Sequence, residues 1–190
     1  MVDENKKPAA KSRKYKRSSP SVDEVRYWIS QNWRSKYNGD ILTWREVQLM
    51  NPITTGSNPS WQNFNAKHID IVFIADVSNE IWLIETDPTP FQSSFGQLLV
   101  YKKWYEILMG RDIVQNIMPK SRREKMNRDI TALYETYAAP EIGGRKNRFY
   151  LPGIGSDKTI RLALFVRETD IMIEELCARK NIRVIIIKGE

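Results

Sequence analysis

A chain of 190 residues, 41% hydrophobic and 28% charged, has room for one ordinary globular domain and too little for two large ones. No apolar run approaches the ~18 residues that span a bilayer, and the polar, basic N-terminus has no apolar signal region. The single Cys177 excludes a disulfide scaffold and a cysteine-built zinc site, so an intracellular, cytoplasmic protein with no membrane contact is expected.

The net charge of +7 is uneven. Residues 1–19 hold seven Lys and Arg between Lys6 and Arg17 against Asp3 and Glu4, or +5 of the total. They lack apolar periodicity and are expected to be a disordered tail. Such a tail either attracts a polyanion, nucleic acid before anionic lipid, or simply solvates the chain. Residues 20–190 are expected to form a single α/β domain.

Ser21 followed three residues later by Glu24 has the form of a capping box, and Val25, Trp28, Ile29 and Trp33 continue at helical spacing to Asn38-Gly39. Ile41 to Met50 alternates like a strand, and a Pro, Gly, Ser and Asn-rich loop covers Asn51 to Asn65. Two strands are expected at 68–75 and 81–85, then a helix from Ser93 to Met109 closed by Gly110. The polar stretch 111–148 reads as a helical insertion around Ser121 to Tyr137, followed by a Gly-Gly-Arg-Lys-Asn-Arg loop at 143–148. Strand, helix and strand follow at 161–166, 170–180 and 183–187. This order predicts an α/β fold with a mixed central β-sheet flanked by helices.

Asp70 lies inside an otherwise apolar strand, where a carboxylate is costly unless compensated. If the two strands pair as a hairpin, Asp70 near the start of one lies opposite Glu85 near the end of the other. Two carboxylates so placed repel unless they share a proton or a cation. A hard divalent ion with oxygen ligands, Mg²⁺ or Mn²⁺, is the simplest resolution. The competing reading is a plain α/β scaffold in which Asp70 is a structural salt-bridge partner.

Asp70, Glu85 on the next strand, and a helix carrying Gly96-Gln97-Leu98-Leu99-Val100-Tyr101 resemble the PD-(D/E)XK nuclease superfamily, in particular its RecB-like branch and archaeal and viral relatives. The likeness covers about residues 21–110 and, more loosely, 160–188. It implies a restriction-endonuclease-like core and metal-dependent hydrolysis of phosphodiester bonds in nucleic acid, DNA ahead of RNA. It assigns the metal to Asp70 and Glu85, with the Thr86 carbonyl as a further ligand. The acidic residue that precedes the hairpin in this family is here Glu46 or Glu24. Gln97 and Tyr101 would orient the site and the nucleic acid, and a homodimer is compatible with the family.

One departure stands out: the family has Glu-x-Lys where this chain reads Glu85-Thr86-Asp87. Asp87 cannot steady negative charge as lysine does, although by period-two alternation it faces the same side as Glu85 and offers another oxygen. A helical wheel puts Lys102 within the apolar face of Phe95, Leu98, Leu99, Tyr105 and Met109. It is therefore a candidate for the missing positive charge, against the alternative of an i+4 pair with Glu106. Without that charge the chain reads as a catalytically inactive nuclease-fold module that binds nucleic acid or a protein partner.

Lesser candidates have competing readings. His68 shares a regular-strand face with Asp70 and is either a ligand or a strand-end residue. Cys177 fits the core, and the tryptophans are expected in core or interface positions. Lys120, Arg122, Arg123, Lys125 and Arg128, and separately Arg145, Lys146 and Arg148, form basic clusters near Tyr134, Tyr137, Phe149 and Tyr150. They would either follow a phosphate backbone and stack bases or form a solvated face.

Overall fold

The computed structural model describes residues 18–49, 67–89, 92–109, 124, 138–146 and 150–188. The tail to residue 17, the loop expected at 51–65, Gly110 and nearly all of the expected helical insertion lie outside them. So do Lys120, Arg122, Arg123, Lys125, Arg128, Tyr134, Tyr137, Arg148 and Phe149.

Helix α1 (Val22–Asn32) begins where the capping signal puts it. The Ser21 amide donates to Glu24 Oε2 at 2.7 Å, and the Glu24 amide donates to Ser21 Oγ at 3.2 Å. Both ends of the box satisfy amides that the first helical turn leaves without partners. Val25 and Ile29, one turn apart, are buried.

Three antiparallel strands follow, β1 (Leu42–Leu49), β2 (Lys67–Ala75) and β3 (Glu80–Asp87). The β2–β3 turn is closed by Asn79 in the left-handed region (φ 53°), which Asn tolerates better than most residues. Helix α2 (Gln92–Leu108) leaves this meander, and a short hairpin joins β4 (Glu141–Ile142) to β5 (Arg145–Lys146). That hairpin replaces the loop expected there. Gly143 and Gly144 both take positive φ, as the favoured two-residue hairpin turn requires. Strand β6 (Thr159–Val166) then pairs parallel with β3, helix α3 (Ile171–Arg179) starts on an Asp170 cap, and β7 (Ile182–Ile186) pairs parallel with β6.

The mixed five-stranded sheet has the order β1-β2-β3-β6-β7. Parallel neighbours need a crossover, and α3 supplies it between β6 and β7. On one face α1 packs Val25, Ile29 and Trp33 onto Ile71, Phe73, Trp82, Ile84 and Phe165. On the other, Leu98, Tyr101, Tyr105 and Leu108 of α2 and Cys177 of α3 pack onto Val72, Leu83, Leu162 and Leu164. Both faces are covered, so the inner strands read as apolar runs rather than as alternation. Each fully buried Ile, Leu or Phe contributes roughly 1.5–3 kcal/mol. Among the described residues no helix is long and apolar enough to cross a membrane.

At the outer corner Arg167 fastens distant parts of the chain. Its guanidinium meets the Glu24 carboxylate with both nitrogens at 2.7 Å and donates to the carbonyls of Ser18 and Ile187. Those hydrogen bonds, led by Arg167, hold the Glu24 carboxyl down at about 2.

Candidate functional site

Pairing between β2 and β3 runs from Ala75 with Glu80 to Ile71 with Ile84. The next step along the strands sets Asp70 beside Glu85. There side chains take over from the backbone ladder. The Asp70 amide donates to Glu85 Oε1 at 3.3 Å, while the amide and hydroxyl of Thr86 both donate to Asp70 Oδ2 at 2.8 Å. On the other edge of β2, Arg45 pairs with Ile71 and Val47 with Ile69. Glu46 thus occupies the step opposite Asp70, with its backbone in the left-handed region (φ 47°). Three carboxylates, Glu46, Asp70 and Glu85, come from three adjacent strands at one level of the sheet. Of the two candidates for the preceding acid, Glu46 is at this level, whereas Glu24 is engaged by Arg167.

The electrostatics follow from this crowding. Glu85 is only 6% exposed. Burial first, then the Asp70 charge with lesser contributions from Glu46 and Asp87, pushes its carboxyl up to about 8 against the opposing Asp70 amide bond. Asp87 is raised by burial and by Asp70, although the Ser94 hydroxyl, which donates to it, works the other way. Tyr101 is buried and donates its hydroxyl to the His68 carbonyl at 3.1 Å. Burial, then the charges of Glu85, Asp70 and Glu46, raise its phenol above the ordinary value. Tyr101 thus stands over the same negative cluster and keeps its proton at any ordinary pH.

Positions on α2 differ from the wheel. The buried stripe is Ser94, Leu98, Tyr101, Tyr105 and Leu108, with Ile107 buried as well, so Tyr101 lies near its centre. The reason is that a tyrosine is buried at little cost when its hydroxyl finds a carbonyl, and both do: Tyr101 at His68, Tyr105 at Pro152. Centred there, the stripe leaves Lys102 at its edge, 38% exposed, with Nζ 3.9 Å from Glu106 Oε1. The cation expected to reach the carboxylates is instead directed along its own helix. Gln97 is exposed.

The remaining candidates have plain positions. His68 is exposed and enters the site through its carbonyl oxygen. Arg145 and Lys146 are exposed on the β4–β5 hairpin. Cys177 is buried in the core, where burial raises its thiol.

Sequence reasoning passed over Glu80, a buried carboxylate at the opposite end of β3. It accepts from Lys36 Nζ at 2.8 Å, Ser78 Oγ at 2.9 Å, Trp82 Nε1 at 3.0 Å and Arg161 Nε at 3.0 Å. Burial works to raise this carboxyl, but the four donors outweigh it and hold it at about 2. Glu80 and Glu85 are thus opposites on one strand: the first is surrounded by cationic and neutral donors, the second by other carboxylates. Glu80 has the partners of a structural ion pair, and among the described residues Glu85 has no cationic one.

Among the described residues, no group of three or more His, Cys, Asp or Glu side chains is placed to hold a metal ion. What stands in place is the Asp70/Glu85 pair, an all-oxygen donor set of the kind that suits hard cations. The chain matches no family model, no curated protein and no solved structure.

Proposed function

We propose that this chain is a metal-dependent nuclease that hydrolyses phosphodiester bonds in DNA, with Asp70 and Glu85 holding Mg²⁺ or Mn²⁺. The observation that carries this reading is Glu85: a buried carboxyl beside Asp70, with Glu46 and Asp87 adding to the negative charge around it. Such a cluster is relieved by a proton or by a cation, and the donor chemistry fits Mg²⁺, which is commonly bound through one or two carboxylates while keeping several waters. A cation bound there supplies the charge that neutralises a scissile phosphate and acidifies water.

The chain's own residues divide the remaining work. Thr86 fixes one oxygen of Asp70, leaving the other for a ligand. The Asp70 amide orients Glu85. Tyr101 braces the start of β2 through the His68 carbonyl. The order of α1, the β1–β3 meander, α2 and parallel β6 supports the restriction-endonuclease-like core that the resemblance implies.

A second reading is favoured by a specific pair of facts. Asp87 stands where the resembling family has lysine, and Lys102 is paired with Glu106. With no cation from either source, the chain is a nuclease-fold module that binds nucleic acid or a protein without cutting. Incubation of the pure protein with single-stranded, duplex and branched DNA in Mg²⁺ and in Mn²⁺ separates the two. Cleavage that disappears in both Asp70→Asn and Glu85→Gln supports the enzyme. Binding without cleavage in either metal supports the module.

A further inference from the structure

We infer that Trp44 and Tyr150 form a stacking platform for an unpaired nucleobase beside the Asp70/Glu85 pair, so that the strand entering the site is single. The inference rests on the nucleic-acid reading of that site and adds the form of the substrate.

Trp44 lies on β1 opposite Val72, and Val72 is two residues along β2 from Asp70. Two residues of strand span ~6.6 Å, about the reach from a phosphate to its base. The indole therefore stands one level inward from the carboxylates, on the strand that carries Glu46. Its ring centroid is 6.2 Å from that of Tyr150, with the planes tilted at 53°. Both residues are half-buried, unlike Trp33 and Trp82, which are packed under α1.

The pair is held from both sides. Trp44 packs against the core cluster beneath α2, and fully buried Leu151, next to Tyr150, belongs to the same cluster. The carbonyl of Pro152 accepts the Tyr105 hydroxyl, one turn along α2 from Tyr101. The β4–β5 hairpin, earlier in the chain than Tyr150, exposes Arg145 and Lys146, side chains of the kind that meet a phosphate backbone. Aromatic faces are how proteins hold unpaired strands, since every base offers a face for stacking. In a duplex those faces are covered by neighbouring bases, so the platform selects against it.

The test is binding, measured by anisotropy in EDTA so that nothing is cut. The full chain is titrated with labelled oligothymidylate, oligouridylate and a DNA duplex of equal length. Tighter binding of a single strand than of the duplex, weakened about tenfold by Trp44→Ala and by Tyr150→Ala and largely restored in Trp44→Phe, is the expected result. The two single strands decide between DNA and RNA as the source of the base. Single-strand affinity unchanged in both alanine variants, or a preference for the duplex, overturns the platform. Thermal melting of each variant shows that it is folded, and Tyr150→Ala, read by itself, keeps the test decisive if Trp44→Ala is not. Because no metal is present, aromatic-dependent affinity stands whether or not cleavage is ever observed, and cleavage with unaltered affinity in these variants removes the platform alone.

Discussion

Asp70 and Glu85 close the end of the β2–β3 ladder with their side chains. The Asp70 amide donates to a Glu85 oxygen, and the Thr86 amide donates to an Asp70 oxygen. Each carboxylate thus accepts a hydrogen bond that a strand carbonyl accepts elsewhere in the pair. The two acids are held side by side by these backbone hydrogen bonds.

A pH dependence follows for the metal-free protein. The Glu85 carboxyl rises from 4.5 to about 8 on folding, so the folded chain binds this proton more tightly than the unfolded chain. Its contribution to stability is complete below about pH 4.5 and is lost as pH rises toward about 8. Urea unfolding across that window in EDTA should show stability falling with pH, and Glu85→Gln should flatten the fall. An equal slope in the variant would remove Glu85 as its source.

Divalent ions should act in the opposite sense. A cation at Asp70 and Glu85 displaces the Glu85 proton, so its affinity should grow between pH 6 and pH 8. At a hundredfold excess over Kd, binding stabilises by ~2.7 kcal/mol, a shift of several degrees in melting temperature. Mn²⁺ should raise the melting temperature more at pH 8 than at pH 6, and Asp70→Asn should cancel the effect. A shift that persists in Asp70→Asn places the ion elsewhere.

Glu80 should govern the acid limb. Its contribution is present above about pH 4.5 and disappears as pH falls toward about 2. Glu80→Gln leaves Lys36 and Arg161 without their carboxylate. Because these partners are 24% and 49% exposed, the loss at pH 7 should be about 1–3 kcal/mol, below that of a fully buried pair. Chemical unfolding at pH 7 and pH 3 checks both the size and the sign.

Lys102→Ala should cost less than ~0.5 kcal/mol, as an i,i+4 pair at the surface does. If DNA is cleaved, the variant should cleave at nearly the parental rate while Asp70→Ala is inactive. A large loss of rate in Lys102→Ala would return the lysine to the reaction.

The parts of the fold that were legible are those written in local chemistry. The Ser21/Glu24 cap, the apolar runs of β2 and β3, and the Asp70–Glu85 opposition each depend on neighbours in sequence or on one tight turn. Lys102 differs from its wheel position because apolarity alone does not mark the buried stripe: a tyrosine with a carbonyl partner joins it. Glu80 was missed because its partners Lys36 and Arg161 are 44 and 81 residues away. The choice of Glu46 over Glu24 likewise needed the β1 register, since both acids precede the hairpin.

The clasp at Arg167 has a consequence for the order of events during synthesis. Its guanidinium joins Glu24, 143 residues earlier, to the carbonyl of Ile187, just beyond the last strand. Glu24 of α1 is therefore synthesised 143 residues before the one that locks it. Contacts of such long sequence separation are made late and slow the search for the native state. Until Arg167 arrives, the apolar side of the first helix is in the keeping of whatever else is nearby.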